Sequence, residues 1–423
     1  MQEDFLHYVW QFKRFDVAHL RTTTNEVITL LNTGWPNLSG GPDFFNAQLK
    51  IDDQLWAGNV EIHIKTSDWY VHNHEVDPAY DNVILHVVYD HDIDVFRKDN
   101  SLIPTLELKN LIHKNVVENY QKLLTSPHKW INCENDFAEV DDFVISNWLE
   151  RLYIERLERK SKNIEVLLQS SKNDWEAVLF KLLTKNFGLK VNGDAFLSLA
   201  NSFDFSIVRK IQSKSLQLEA LFFGQFGLLD RQIESSYYVT LSKDYNFLKQ
   251  KFNLSNSQVM PLQFFRLRPP NFPTIRLSQL AMLYHQHTSL FTKIISAESI
   301  EALYELFDIS TSEFWNTHFT FEKTSRFVKK KLTKSFIDLL LINTILPLRF
   351  CYQRHLGQNA SESSLLMAQK IASEQNAIIK GFNNLRPISN SALTSQALIQ
   401  LKTEYCDKNR CMSCAIGNSV LLT

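Results

Sequence analysis

The change of apolar period near residue 111 constrains this chain most. Before it, apolar residues recur in steps of two; after it, in steps of three and four. Residues 54–65, QLWAGNVEIHIK, put Val60, Ile62 and Ile64 on one face and Glu61, His63 and Lys65 on the other, as in a strand. Residues 83–90, VILHVVYD, are almost continuously apolar, which suits a central strand covered on both faces. Residues 43–51 end at Asp52-Asp53, a turn signal that joins them to 54–65 as a hairpin. Further strands are predicted at 26–34 and 103–110. Helix is predicted at 4–15, with Phe5, Tyr8, Val9 and Phe12 on one face, and irregularly at 67–82, capped by Ser67 or Asp68. The order is α-β-β-β-α-β-β. Beyond it, 141–168, 174–187, 205–229, 277–287, 299–307, 328–353, 361–384 and 391–406 fit helices, and Pro269-Pro270 with Pro273 marks an extended loop. The expected fold is an α/β (α+β) domain over 1–125 and a larger all-α domain over 126–423.

Charge divides along the same line. Residues 1–125 carry 18 acidic and 10 basic side chains, a net of −8; the remainder carries 28 and 35, a net of +7. The whole chain, at −1, is no basic nucleic-acid binder, yet two domains with different tasks are expected. Hydrophobic residues at 44% exclude a mostly disordered chain, and 11 Gly with 11 Pro exclude collagen-like or linker-rich architecture. Glu3, Asp4, Lys13 and Arg14 interrupt the apolar positions at the start of the chain, so no secretory signal is expected there. The most apolar stretch, 336–348, is too short to span a bilayer and contains Asp338, so no membrane association is expected. Five cysteines, three of them near the C-terminus, suit a reduced, cytoplasmic protein.

Three groups of residues carry candidate chemistry. Asp43 opens one hairpin strand, and Glu61 and His63 share a face of the next. Carboxylates on adjacent strands converge on a divalent cation, Mg or Mn, which activates water and stabilises a phosphoryl transition state. Eight of 13 histidines precede residue 125, and His72-Asn73-His74 offers either a Zn or Mn site with His63 or phosphate-binding donors at the mouth of a cleft. His86, inside the apolar strand, reads as a hydrogen-bonded core residue. Cys406, Cys411 and Cys414 include a chelating Cys-x2-Cys, with Cys133 as a fourth thiol for zinc or an iron–sulfur cluster, against the plainer reading of packed or free thiols; Cys351 reads as a small buried hydrophobe. In the basic half, Arg266, Arg268, Arg276, Arg326, Lys329–Lys331 and Lys334 are candidate phosphate contacts against the plainer reading of a solvated face or a clasp between helices.

Two resemblances follow. Pro42-Asp43, then Glu61-Ile62-His63 on the next strand, within an αβββαβ order, resembles the PD-(D/E)XK nuclease superfamily, with His63 where a water-orienting lysine normally stands. Glu3 lies on the first helix, where many members carry an extra metal-binding Glu. The resemblance, over about 1–110, implies a Mg- or Mn-dependent phosphodiesterase acting on nucleic acid, with Asp43 and Glu61 as ligands and His63 at the water. One cysteine upstream and three clustered downstream resembles members that bind a [4Fe-4S] cluster, with different spacings. EDFLHYVW, GPDFFNAQL, GNVEIHIKTSDWYVHNH, AYDNVILHVVYD, RPPNFPTIRLSQLA and YCDKNRCMSCAIG resemble an uncharacterised bacterial family of unknown function over nearly the whole chain. The rival reading is a non-catalytic scaffold for a protein partner; a His-based metallohydrolase of small substrates is a third.

Overall fold

The two clearest strand patterns become the middle of a six-stranded mixed sheet. In the computed structural model, which describes residues 1–37, 39–125 and 129–422, the strands are β1 (Ile28–Asn32), β2 (Trp35–Pro36), β3 (Phe44–Ile51), β4 (Gln54–Lys65), β5 (Val83–Asp90) and β6 (Thr105–Glu107). Their order is β1-β3-β4-β5-β6, with β2 beside β3. β1, β3 and β4 are antiparallel neighbours; β4, β5 and β6 are parallel. Glu61 and His86 are register partners across β4 and β5. The apolar run of β5 buries Val83 through Val88, as a strand covered on both faces requires. A bulge between Phe44 and Ala47, with Asn46 at φ 57°, turns the start of β3 beside Asp43.

Helix α1 (Glu3–Gln11) buries Phe5, Leu6, Tyr8, Val9 and Trp10, and the Trp10 indole donates to the Thr33 carbonyl at 3.0 Å. The irregular crossover at 67–82 is a single turn, α2 (Asp68–Val71), then a 3-10 turn at Pro78–Tyr80. Ser67 does not cap α2 with its side chain, because its hydroxyl donates to Asp92 at 2.7 Å; Asp68 instead accepts from the Lys65 N–H.

Two compact units are present. The first comprises Met1–Trp148, Lys380–Pro387 and Ile399–Thr423; the second comprises Leu149–Ile379 and Ile388–Leu398. The expected junction at 125/126 falls at residues 126–128, outside those described. The first unit includes α3 (Lys114–Thr125) and continues past the junction into the start of a long helix, Asp142–Ser170. It also takes in the C-terminal cysteine segment, whose last helix, Ala415–Leu422, accepts a bond from Asn119 at the Leu421 carbonyl.

Among the described residues no strand follows Glu107, so the architecture is α+β with a large helical part. Several predicted helices divide. The span 205–229 becomes Ser206–Ile211 and Ser215–Gln225, and the Gln212 carbonyl accepts from His285 at the break. The span 361–384 becomes Ser361–Gln369 and Ala377–Leu385, because Ala372 pairs with Ser391 between them. Pro273 lies not in an extended loop but in the first turn of Pro273–Gln286, where its missing N–H is not needed. Helix Lys334–His355 is long and apolar enough to span a membrane, but most of it is buried in the protein, which makes it a core helix.

Candidate metal centre

The end of β4 presents a carboxylate and an imidazole two residues apart. Glu61 and His63 are 4% and 1% exposed, beneath the crossover that carries His72 and His74. Buried Trp69 anchors that crossover, and Asn73 at φ 59° reverses the chain between the two histidines. The His74 ring stacks on Tyr80, centroids 3.7 Å apart, and meets Trp69 edge-on. These contacts aim three imidazoles at one point. One nitrogen each from His63, His72 and His74 lies within 4.8 Å of the other two. Glu61 Oε1 is 3.2 Å from His74 Nε2 and 3.5 Å from His63 Nε2. His74 Nε2 is buried and makes no well-aligned hydrogen bond.

His63 is held at both nitrogens. Its Nδ1 is 2.8 Å from His86 Nε2, and its Nε2 is 3.0 Å from His72 Nδ1. His86 is wholly buried, as the apolar strand around it predicts. Burial, then the imidazoles of His74, His72 and His7, presses the His63 pKa down to about 3, so the ring is neutral at physiological pH. His86 is pushed down by burial and by His63. Burial drives Glu61 up to about 6 from its ordinary 4.5; Asp43 adds to the rise and His74 opposes it.

Asp43 meets this group from the neighbouring strand. Its N–H donates to Glu61 Oε2 at 3.1 Å, and its Oδ2 accepts from the Ile62 N–H at 2.9 Å. His7 Nε2, on α1, lies 3.2 Å from the same Oδ2. Burial works against a proton on His7, but Asp43, then Glu3 and Glu61, outweigh it and raise its pKa. Glu3, one helical turn before His7, is raised by burial and Asp43 and lowered by His72 and His7. The structure therefore gathers Glu3, Asp43, Glu61, His63, His72 and His74 around one site. Exposure grades from Glu61 and His63, buried, through half-buried Asp43 and His7, to exposed His72. Sequence reasoning missed the part of His7, whose one signal is its i+4 spacing from Glu3.

A family model described as "Protein of unknown function (DUF2851)" matches residues 3–377. The chain belongs to this family. The DUF2851 match spans every residue of the imidazole–carboxylate centre and Cys133, and ends before the three C-terminal cysteines. No curated protein and no solved structure matches the chain.

Cys133, Cys406, Cys411 and Cys414 line a single small cavity in the first unit, walled otherwise largely by apolar side chains including Ile131, Leu401 and Ile416. All four are free thiols. Burial raises each, Cys133 to about 12 and Cys414 to about 11; mutual proximity adds to the rise at Cys133, Cys406 and Cys414. Cys351 is buried in the second unit, as expected of a core residue.

The basic candidates of the second unit divide by burial. Arg276 is 6% exposed, bonds Asn271 and Gln279, and lies over the Phe336 ring at 3.7 Å. Lys330 is buried and donates to the Trp315 carbonyl, and Lys331 pairs with Asp308 at 3.0 Å. Arg276 and Lys330 clasp the fold, while Lys331 is exposed. Arg266, Arg268, Arg326, Lys329 and Lys334 are exposed.

Proposed function

We propose that the chain is a metal-dependent phosphodiesterase of the nuclease type, working at the centre formed by Glu61, His63, His72 and His74. The convergence of one strand carboxylate and three imidazoles on a common point carries the reading. The donor set fits a divalent ion: three neutral-capable nitrogens and one oxygen, with a misaligned, buried His74 Nε2 left over. Nitrogen-rich sets favour Zn or Mn over Mg. A bound ion would lower the pKa of a water and neutralise charge on a phosphoryl group.

The surrounding residues have separate tasks. His86 bonds the far nitrogen of His63 and so fixes the ring with Nε2 toward the site. With a pKa of about 3, His63 is suited to be a ligand, not the proton acceptor its place in the motif suggests. His7 is the better proton carrier: its pKa is raised, it is half-buried, and Asp43 orients it. Asp43 also ties β3 to β4 through Ile62. The Pro42-Asp43 and Glu61-Ile62-His63 pattern on adjacent strands supports a nucleic-acid substrate, and exposed Arg266, Arg268, Arg326 and Lys329 of the second unit offer phosphate contacts.

The burial of His63 between two imidazoles favours a second reading, a degenerate scaffold without catalysis. Cleavage of plasmid DNA and single-stranded RNA in Mn, Zn or Mg separates the two. The expected result is metal-dependent cleavage that His74→Asn abolishes together with metal retention, and that His7→Gln abolishes while metal retention persists. Cleavage absent with all three ions, in protein that retains no metal, leaves the scaffold.

A further inference from the structure

Four of the five cysteines come together from opposite ends of the helical region, Cys133 from one stretch and Cys406, Cys411 and Cys414 from the other. Cys133 precedes a 3-10 turn at Phe137–Glu139; Cys406 ends a π-helical turn, Leu401–Cys406; Cys411 and Cys414 bracket the next turn, Cys411–Ser413. π-Turns are rare and concentrate at functional sites. Gly417 is required by this packing, since a Cβ there would stand 2.3 Å from the Cys411 carbonyl oxygen. Four free thiols, with no disulfide between them, share this one cavity.

Spacing decides what such a set can hold. Around one zinc ion, Zn–S bonds of ~2.3 Å in tetrahedral array bring the sulfurs to roughly 3.8 Å of one another. The three imidazole nitrogens lie within 4.8 Å of one another; among the described residues no three of these thiols come so close. In an iron–sulfur cube each thiolate binds its own iron, so the sulfurs stand farther apart. Donors to sulfur are also in place. Asn132 Nδ2 is 3.4 Å from Cys411 Sγ, and the backbone N–H groups of Ile416 and Gly417 point at Cys414. Such bonds to sulfur stabilise the thiolate and tune a cluster.

We propose that Cys133, Cys406, Cys411 and Cys414 hold a [4Fe-4S] cluster that fastens the C-terminal segment to the first unit. Four thiols lose their protons to solvent as four Fe–S bonds form; two ferrous ions, two ferric ions and four sulfides come from outside the chain. The site is separate from the imidazole–carboxylate centre and does not depend on the activity proposed for it.

The test is the metal content of the full chain purified without oxygen, or reconstituted with ferrous iron, ferric iron and sulfide. About four iron and about four acid-labile sulfide per chain are expected, with the broad visible absorption of an iron–sulfur protein and a paramagnetic signal on reduction. Cys406→Ser should lose the absorption; Cys351→Ser and His74→Asn should keep it, which separates the cluster from ions at the imidazoles. Zinc without sulfide, lost on Cys406→Ser, overturns the cluster in favour of a mononuclear site. Wild-type protein that takes up neither iron with sulfide nor zinc, and keeps all its thiols titratable, overturns the site altogether.

Discussion

Glu61 carries a charge that its surroundings accept only with help. Its pKa of about 6 in the folded chain lies above the ordinary 4.5, so the folded state holds its proton more tightly than the unfolded one. The matching stability is present below pH 4.5 and is lost as pH rises through 6. A shift of that size corresponds to ~2 kcal/mol. Glu61→Gln removes the titration while keeping the shape. In metal-free protein, the stability of Glu61→Gln relative to wild type should therefore grow by ~2 kcal/mol on going from acid to slightly alkaline pH, across both the unfolded and the folded pKa. Urea unfolding in chelator at the two extremes measures it, and a difference independent of pH would contradict the assignment. His86 offers a second test. His86→Leu leaves His63 Nδ1 buried without its partner, a loss of ~1–3 kcal/mol, and frees the ring to turn, which should weaken metal binding roughly 10–100-fold. Asp43, Glu61 and His63 were legible in the sequence because a period of two fixes which strand residues share a face. The part of His7 was not, because its partner Asp43 lies on a distant element and no local pattern links a helix residue to a strand opening.

The elements position the centre through close backbone approach. Gly58 lies on β4 where the chain enters its pairing with β5, and a Cβ there would stand 2.4 Å from Ile84 Cγ2 and 2.7 Å from the Asn82 carbonyl oxygen. Gly58→Ala must push β4 and β5 apart. Overpacking of this kind costs ~1–3 kcal/mol. The same separation would stretch the His63–His86 contact, which bridges these strands. The denaturant midpoint should fall, and metal retention should fall with it; an unchanged midpoint would show that the strands tolerate the methyl group. β4 and β5 were read from sequence with their observed bounds, because both alternation and continuous apolarity are strong local signals. The crossover was not, because its course depends on Trp69 anchoring and on a left-handed Asn73, not on any period. Helix Leu189–Asn201 also passed unread: Gly188 and Gly193 weaken its pattern, and Gly193 is there because the Lys185 carbonyl approaches to 3.3 Å of where a Cβ would stand.

At the scale of the whole molecule, the split of charge and period marked two bodies, but not that Ile399–Thr423 belongs with Met1–Trp148. That association joins opposite ends of the chain, and sequence pattern records only near neighbours. It places two separate metal-binding candidates in one unit, so a metal-induced rise in Tm must be assigned to one of them. An ion that binds the folded chain alone stabilises it by mass action, ~2.7 kcal/mol at a concentration 100 times Kd. Zn or Mn added to chelator-treated wild type should raise the Tm by several degrees. His74→Asn, which removes one of three imidazoles, should remove that rise, and Cys406→Ser should retain it. The variants must be compared at equal ion concentration, because the shift depends on the ratio of ion to Kd and not on affinity alone. A rise that survives His74→Asn and disappears in Cys406→Ser would place the responding ion at the thiols. It would leave Glu61, His63, His72 and His74 as a hydrogen-bonded cluster.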